Sequence, residues 1–375
     1  MKKVNIGIIG IGLIGKQHIE NYKNIEGVDI IAVCDINEKE ARSVADKYDI
    51  PHVYTDLHEM LKRDDIEAVD VCLHNNFHAP VSIAAMKAGK HVYCEKPIAG
   101  TYFDGKEMVD AAKDYNKKLH IQLGTLFNLE TKVAERLIIS GKLGDIFHGR
   151  ANGFRRRNRP YVDGYGTPAF TRKEQATGGA LIDAGIYNIG QMLYLLNLPE
   201  PVRISGKTYQ EMEMDEQRRQ KSNFDVEELA FGFVKFENDI TLDIMSAWAI
   251  HLGSFEGSSI IGSKGGIRLP AYKQGVAISK FEYYSNEADI AIDSTIDLNA
   301  THLRWQYLHE NYDAYLSSQH HWIAVLQGRV ELMPTAEVAL QTMLISEAIY
   351  ISSDRGEEIT AEEIKSSTSS TSVFI

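Results

Sequence analysis

Glu95-Lys96-Pro97 sets a carboxylate, an ammonium and a helix-incompatible proline directly after an apolar-aromatic run, His91-Val92-Tyr93-Cys94. In an open α/β sheet, ligands bind in the crevice beyond the carboxyl ends of the strands. An acid and a base held there by a stiff proline turn stand where chemistry happens. Gly10-Ile11-Gly12-Leu13-Ile14-Gly15 reads GxGxxG between an apolar run and a helical pattern. The first glycine permits a tight turn, the second lets the backbone approach a pyrophosphate, and the third lets helix and strand pack closely. Amides at the helix start then face the phosphates. Asp35 ends the second strand, 20 residues after Gly15, where an acid accepts hydrogen bonds from the adenosine ribose. Its charge repels a 2′-phosphate, and Ile36-Asn37 brings no arginine to attract one. NAD(H) is therefore favoured over NADP(H).

These residues need a sheet to position them. Strands are expected at Val4–Ile9, Ile30–Cys34, Val69–Leu73, His91–Cys94 and Leu119–Leu123. Helical patterns alternate with them near Ile14–Asn24, Glu38–Lys47, Asp56–Lys62, Pro80–Ala88 and Phe103–Asn116. That alternation is α/β, a doubly wound parallel sheet. After Asp145 longer strand patterns appear at Ile146–Phe154, Val202–Tyr209, Glu228–Phe236 and Ile240–Trp248. They imply a large, open, mainly antiparallel sheet with a helix near Ala180–Leu196. Two further helical patterns lie near Ser317–Gln327 and Thr335–Ser353, and the Ser/Thr-rich stretch Ser366–Ser372 reads as a loose tail. We expect a dinucleotide-binding domain of this doubly wound kind over residues 1–124 and a second α/β domain over 125–375, whose sheet can leave one face free for another subunit and whose terminal helix packs back on the first.

At 375 residues two domains are the natural prior. The net charge of −12 argues against a nucleic-acid partner. No apolar run approaches the roughly 20 residues of a membrane helix, and the first strand begins too early for a signal peptide, so a cytoplasmic location is expected. Cys34, Cys72 and Cys94 each end an apolar run, with no CxxC. They read as buried hydrophobes rather than a disulfide or zinc framework. His320-His321 is adjacent on a helical pattern and His74 with His78 lies in a loop, so no metal site is expected.

The constellation resembles the glucose–fructose oxidoreductase/inositol dehydrogenase (Gfo/Idh/MocA) family. Its carriers are Gly7–His18, Cys34-Asp35, Val71–His78, Ala88–Pro97, Ser140–Ile146 and Gly178–Tyr187, in order along the chain. The resemblance implies hydride transfer between a nicotinamide and a carbinol or carbonyl of a sugar, sugar acid or cyclic polyol. It puts Lys96 against substrate and nicotinamide ribose, with Glu95 beside it. In the loop after the strand ending near Leu73, it assigns Leu73, Asn75 and His78 to the cofactor, although Leu73 and His74 depart from the family pattern. In Gly178-Gly179-Ala180-Leu181-Ile182-Asp183-Ala184-Gly185-Ile186-Tyr187, Asp183 matches the family acid. The position of the family's catalytic histidine is Tyr187, as in the tyrosine-containing branch. A homodimer or homotetramer through the open sheet is implied as well.

Asp183 and Tyr187 are four apart, so they share one face of a helix. Carbinol oxidation needs a base near the operating pH, and tyrosine, near pKa ~10, does not serve unaided. A neighbouring ammonium lowers that value. The expectation is that Lys96 and Tyr187 handle the proton while Asp183 orients substrate or lysine. Arg155, Arg156, Arg157 and Arg159 crowd an otherwise acidic chain. Arg155 and Arg157 read either as a grip on an anionic sugar or as a solvated or interface loop. Two other functions stay open. One is a redox-neutral glycosidase or sugar transhydrogenase with tightly bound NAD, and the other is a non-catalytic sugar or cofactor-binding regulator.

Overall fold

The computed structural model describes residues 2–253, 256–273 and 276–375. The chain divides into two compact units. The first comprises Met1–Leu123, His309–Ala339 and Ser370–Ile375, and the second comprises Gly124–Leu308 and Leu340–Ser369.

The first unit is built on six strands: β1 (Val4–Ile9), β2 (Val28–Cys34), β3 (His52–Tyr54), β4 (Ala68–Val71), β5 (His91–Cys94) and β6 (Leu119–Ile121). Helices α1 (Leu13–Tyr22), α2 (Glu38–Tyr48), α3 (Leu57–Leu61), α4 (Asn75–Lys87) and α5 (Tyr102–Asp114) alternate with them. All neighbours pair in parallel, in the order β3-β2-β1-β4-β5-β6. The order reverses between β1 and β4, which is the switch point where an α/β sheet opens a ligand crevice. Ile6, Ile8, Ile19 and Tyr22 share a core with Trp322 and Ile323 of the helix Ser318–Leu326.

Two expectations fail here. The first turn of α4 lies ahead of Pro80, so Asn75 and His78 are helical rather than in a loop. Pro80 has no N–H for the carbonyl of Asn76. The N–H of Val373 takes that carbonyl instead, at 3.2 Å. The Ser/Thr-rich tail is likewise not loose. Ser366 and Ser367 end a helix, Ala361–Ser367. Beyond it, Asp104, only 4% exposed, accepts from Ser370 Oγ at 2.6 Å and from the Thr371 N–H at 2.8 Å. Composition suggested solvation, but a buried carboxylate needs donors, and the tail supplies them.

The second unit begins with α6 (Leu129–Ile139) and β7 (Ile146–Phe154), then the short α7 (Lys173–Ala176) and α8 (Ile186–Leu195). Next come β8 (Pro201–Tyr209), α9 (Glu216–Ser222), β9 (Leu229–Phe236), β10 (Thr241–Ala247), β11 (Ser259–Gly262) and β12 (Gly265–Arg268). A ribbon of β13 (Tyr272–Lys273) and β14 (Val276–Ala277) precedes β15 (Phe281–Glu287), β16 (Ile290–Ile296), α10 (Leu298–Leu308) and, near the end of the chain, β17 (Ile359–Thr360). Nine strands form one sheet in the order β16-β15-β12-β11-β7-β10-β9-β8-β17. Among the described residues only β7 and β10 pair in parallel, so the sheet is mainly antiparallel, as expected. Sequence reading missed β3 in the first unit and β11 to β17 in the second. β11 and β12 are short and glycine-containing, and β16 shows no buried residue.

Candidate active site

The glycine loop of the first unit is shaped by steric necessity. A Cβ on Gly10 would lie 2.4 Å from the Cys72 carbonyl oxygen, and its φ of +87° suits glycine. A Cβ on Gly15 would lie 2.0 Å from the Gly10 oxygen, whereas nothing stands within 4 Å of one on Gly12. The start of α1 carries no side-chain cap and no acid in its first turn. Its amides therefore remain available to an anion. Asp35 accepts the Ile11 N–H at 3.0 Å and the Asn37 N–H at 2.9 Å, pinning the loop as well as presenting a carboxylate. Leu13 is 81% exposed and Ile36 95% exposed. Sequence reading gave Ile36 no role beyond not being an arginine. These residues fit a dinucleotide: uncapped amides for its pyrophosphate, a carboxylate for its ribose and apolar flanks for its adenine.

Glu95-Lys96-Pro97 follows β5 at the carboxyl end of the sheet, and the Lys96–Pro97 peptide is cis. Lys96 is half-buried. Glu95 is buried, and its Oε2 accepts the Lys96 N–H at 3.0 Å. Its Oε1 lies 2.8 Å from His18 Nε2. Burial opposes ionisation of Glu95, but the hydrogen bond from His18 and the nearby positive charges win and hold the carboxyl below its usual range. Leu73 and Asn75 are half-buried, with Asn75 opening α4. His78 is fully buried, with Nδ1 2.7 Å from the Pro97 oxygen and Nε2 3.0 Å from the Leu73 oxygen. It ties the start of α4 to the proline turn and turns neither nitrogen toward solvent. The three cysteines are free thiols. Burial pushes Cys34 up to about 12 and also holds Cys72 and Cys94 well above the usual thiol value, so they are unreactive.

In the second unit the helix expected over Ala180–Leu196 opens as a π-helical turn, Leu181–Gly185, before α8. Such turns are frequent at functional sites, and this one carries Asp183. Asp183, Ala184, Tyr187 and Asn188 form its half-buried stripe, while Ile182, Gly185, Ile186 and Ile189 are buried. The Asp183 carboxylate accepts Trp248 Nε1–H at 2.9 Å and faces Arg155 at 3.6 Å. Thr125 Oγ1 donates to the Tyr187 carbonyl at 2.9 Å.

The turn is held from behind by Glu227, which sequence reading missed. Its carboxylate accepts the N–H groups of Gly179 and Leu181, each at 2.8 Å, and the Tyr350 hydroxyl at 3.0 Å. Burial raises its pKa, with the two amides pulling the other way. A Cβ on Gly179 would lie 1.9 Å from the Glu227 backbone carbonyl oxygen, so glycine is required there. Nothing local in the sequence pairs Glu227 with residue 179.

A cavity of ≈ 210 Å³ opens beside the stripe, with Asn128, Asn152, Asn188 and Gln191 among its lining. Arg155 and Tyr272 also line it, and Tyr272 donates to Glu130 at 3.1 Å. Of these, only Arg155 was named from sequence, because isolated amides carry no motif.

The arginine cluster separates into different roles. Arg159 is fully buried, bonded to Asp163 at 2.9 Å and Glu228 at 2.7 Å, and caps the carbonyls of Met212 and Glu213. Arg156 and Arg157 are exposed, the latter 3.6 Å from Asp163. Arg155 also donates to the Tyr165 hydroxyl.

Comparison with known proteins places both units. The profile described as "Oxidoreductase family, NAD-binding Rossmann fold" matches residues 4–123, and the "GFO/IDH/MocA C-terminal domain" matches 131–268. D-glucoside 3-dehydrogenase of Escherichia coli (strain K12) is 28% identical over 365 residues, covering 95% of this chain and 97% of that protein. Inositol 2-dehydrogenase of Salmonella typhimurium (strain LT2) is 34% identical over 197 residues, 51% of this chain and 54% of that one. The structure of levoglucosan dehydrogenase in complex with NADH and levoglucosan superposes with a TM-score of 0.79 at 22% identity, covering 96% and 100% of the two chains, which shows a common fold.

Proposed function

The chain belongs to the Gfo/Idh/MocA family of NAD-binding oxidoreductases, and on that premise we propose that it moves a hydride between NAD(H) and a CH–OH group of an uncharged sugar, glycoside or cyclic polyol. The observation that carries the substrate class is the cavity beside the Asp183–Tyr187 stripe. Asn128, Asn152, Asn188 and Gln191 each offer both a donor and an acceptor, which matches hydroxyls rather than a carboxylate. Arg155, the cation lining it, already faces Asp183. D-glucoside 3-dehydrogenase, similar along nearly its whole length, acts on a substrate of this kind by its name.

Gly10–Gly15 and Asp35 would hold the cofactor, which would supply the hydride acceptor. The carbinol must also lose its hydroxyl proton. We assign that proton to Tyr187, with the Lys96 ammonium favouring the phenolate and binding the substrate oxygen. In the reductive direction Tyr187 returns the proton. Asp183, fixed by Trp248, accepts a substrate hydroxyl. NAD is preferred over NADP because Asp35 presents a carboxylate to the ribose and Ile36 follows it in place of a cation.

A second copy of the chain is the partner assigned to the large sheet. Phe231, Phe233 and Ile261 are each about two-fifths exposed, at 41%, 39% and 43%. Register places Phe233 beside Asp243, itself beside Arg150, with which it is already paired at 2.8 Å, giving an apolar surface edged by an internally satisfied charge pair.

A panel of glucosides, inositols, free hexoses and uronic acids, read by NADH absorbance, tests the reading. Turnover on neutral members and its loss in Lys96→Ala and Tyr187→Phe are expected. Faster turnover of uronic acids, or near-full activity in Tyr187→Phe, overturns the corresponding assignment.

A further inference from the structure

The first unit buries a charge network that the reaction does not visibly use. His18 lies on α1, three residues beyond Gly15, and is 3% exposed. Its Nδ1 is 2.8 Å from Asp70 Oδ2 on β4, and its Nε2 is 2.8 Å from Glu95 Oε1 after β5. A carboxylate only accepts hydrogen bonds. Two carboxylates therefore require both ring nitrogens to donate, and an imidazole does so only as the imidazolium. Cys72 Sγ stands 3.3 Å from Asp70 Oδ1, and the Tyr93 ring meets His18 edge-on at 5.7 Å. The helix Ser318–Leu326 adds only a neutral contact, Gln319 Nε2 to the His18 carbonyl at 3.3 Å. The ionisable groups facing the ring are thus Asp70 on β4 and Cys72 just after it, and Tyr93 on β5 and Glu95 just after it, while Tyr22 of its own helix faces Asp70.

We infer that His18 is a positioning residue. Its imidazolium fixes the Glu95 carboxylate, whose second oxygen holds the Lys96 N–H, and so sets the turn that presents the Lys96 ammonium. The chain of contacts is continuous: His18 Nε2 to Glu95 Oε1 at 2.8 Å, then Glu95 Oε2 to the Lys96 N–H at 3.0 Å. The same ring, through Asp70, ties the helix that follows the glycine loop to β4. Burial works against the imidazolium, but the charge and hydrogen bond of Asp70 outweigh it and raise the pKa of His18. Without the cation, the buried carboxylates Asp70 and Glu95 would lose the counter-charge they share, leaving Glu95 the more distant Lys96 ammonium, an arrangement strongly disfavoured. Glu95 would then draw away or take up a proton, and either change releases the Lys96 backbone.

This inference rests on the proposed role of Lys96, and the experiment separates the two. NAD affinity, kcat and the pH profile are measured for wild type, Lys96→Ala, His18→Gln, Glu95→Gln and the charge-balanced pair His18→Gln/Asp70→Asn. If Lys96→Ala turns over normally, the reading of Lys96 fails, whatever His18 does. With Lys96→Ala impaired, His18→Gln is expected to lower kcat at least tenfold, because small misplacements of a catalytic group cost that much, while NAD affinity changes less than about threefold. Glu95→Gln, which keeps the shape and does not disturb the Asp70 contact, should do the same. The double variant should recover part of the lost kcat, since it removes the surplus charge, and a purely packing role for the ring predicts no such rescue. Unchanged kcat in His18→Gln, or equal losses in the single and double variants, overturns the inference. If His18→Gln does not fold, Glu95→Gln decides: a kcat within twofold of wild type overturns it.

Discussion

Replacing Glu227 probes how the Asp183 turn is held. In Glu227→Ala the N–H groups of Gly179 and Leu181 and the Tyr350 hydroxyl lose their acceptor at once. A buried donor left without a partner costs about 1–3 kcal/mol, so three would cost roughly 3–9 kcal/mol. Part is recovered, because the wild-type charge is itself buried at several kcal/mol of desolvation. The expected net loss is about 3 kcal/mol, or roughly 6–12 °C in Tm for a unit of this size. Glu227→Gln keeps one acceptor oxygen and removes the buried charge, so its cost should stay near ~1 kcal/mol. Both should lower kcat more than they raise KM for NAD, since the turn they loosen carries Asp183. The pH dependence has a definite sign. The carboxyl of Glu227 is raised in the fold by burial, so between its unfolded value near ~4.3 and the higher folded value the native state binds more protons. That part of the stability is fully present below ~4.3 and is lost as pH rises through the folded value. Thermal melts across that range should show the difference between wild type and Glu227→Gln moving toward the variant as pH rises. A Glu227→Ala Tm within about 1 °C of wild type, or Gln costing more than Ala, would refute the reasoning.

Asp35→Ser should raise KM for NAD about tenfold and narrow the preference over NADP, since it removes the ribose acceptor and the pin on Ile11; kcat/KM with both cofactors reports it, and a wild type that prefers NADP would contradict the reading. Arg159→Met should destabilise the protein by about 3–5 kcal/mol by leaving Glu228 a buried charge without its partner and Asp163 with the longer contact to Arg157, while Arg157→Gln should stay within about 0.5 kcal/mol; urea unfolding compares the two. Deleting residues 370–375 strips donors from Asp104 and the partner from Asn76, and calorimetry should show weaker NAD binding with a lower Tm. Phe231→Glu should shift the protein toward a smaller species in light scattering without changing the fold seen by circular dichroism.

GxGxxG, Asp35 and Glu95-Lys96-Pro97 were legible because their chemistry is written in neighbouring residues, and a parallel sheet places strand ends predictably. The alternation of the first unit, apart from the short β3, and strands β7 to β10 of the second could be read from periodicity. Partnerships across the chain could not. Nothing within a few residues of position 227 announces that its carboxylate will hold the amides of 179 and 181, and of four arginines within five positions only burial showed that Arg159 is structural while Arg157 is exposed. The amides of the cavity come from a loop, a strand and a helix. His18 stood three residues from the glycine motif with no evident task. Its role came from the two carboxylates that β4 and β5 bring to its ring, because a residue's charge and hydrogen bonds depend on neighbours in space, and only the tertiary fold chooses those.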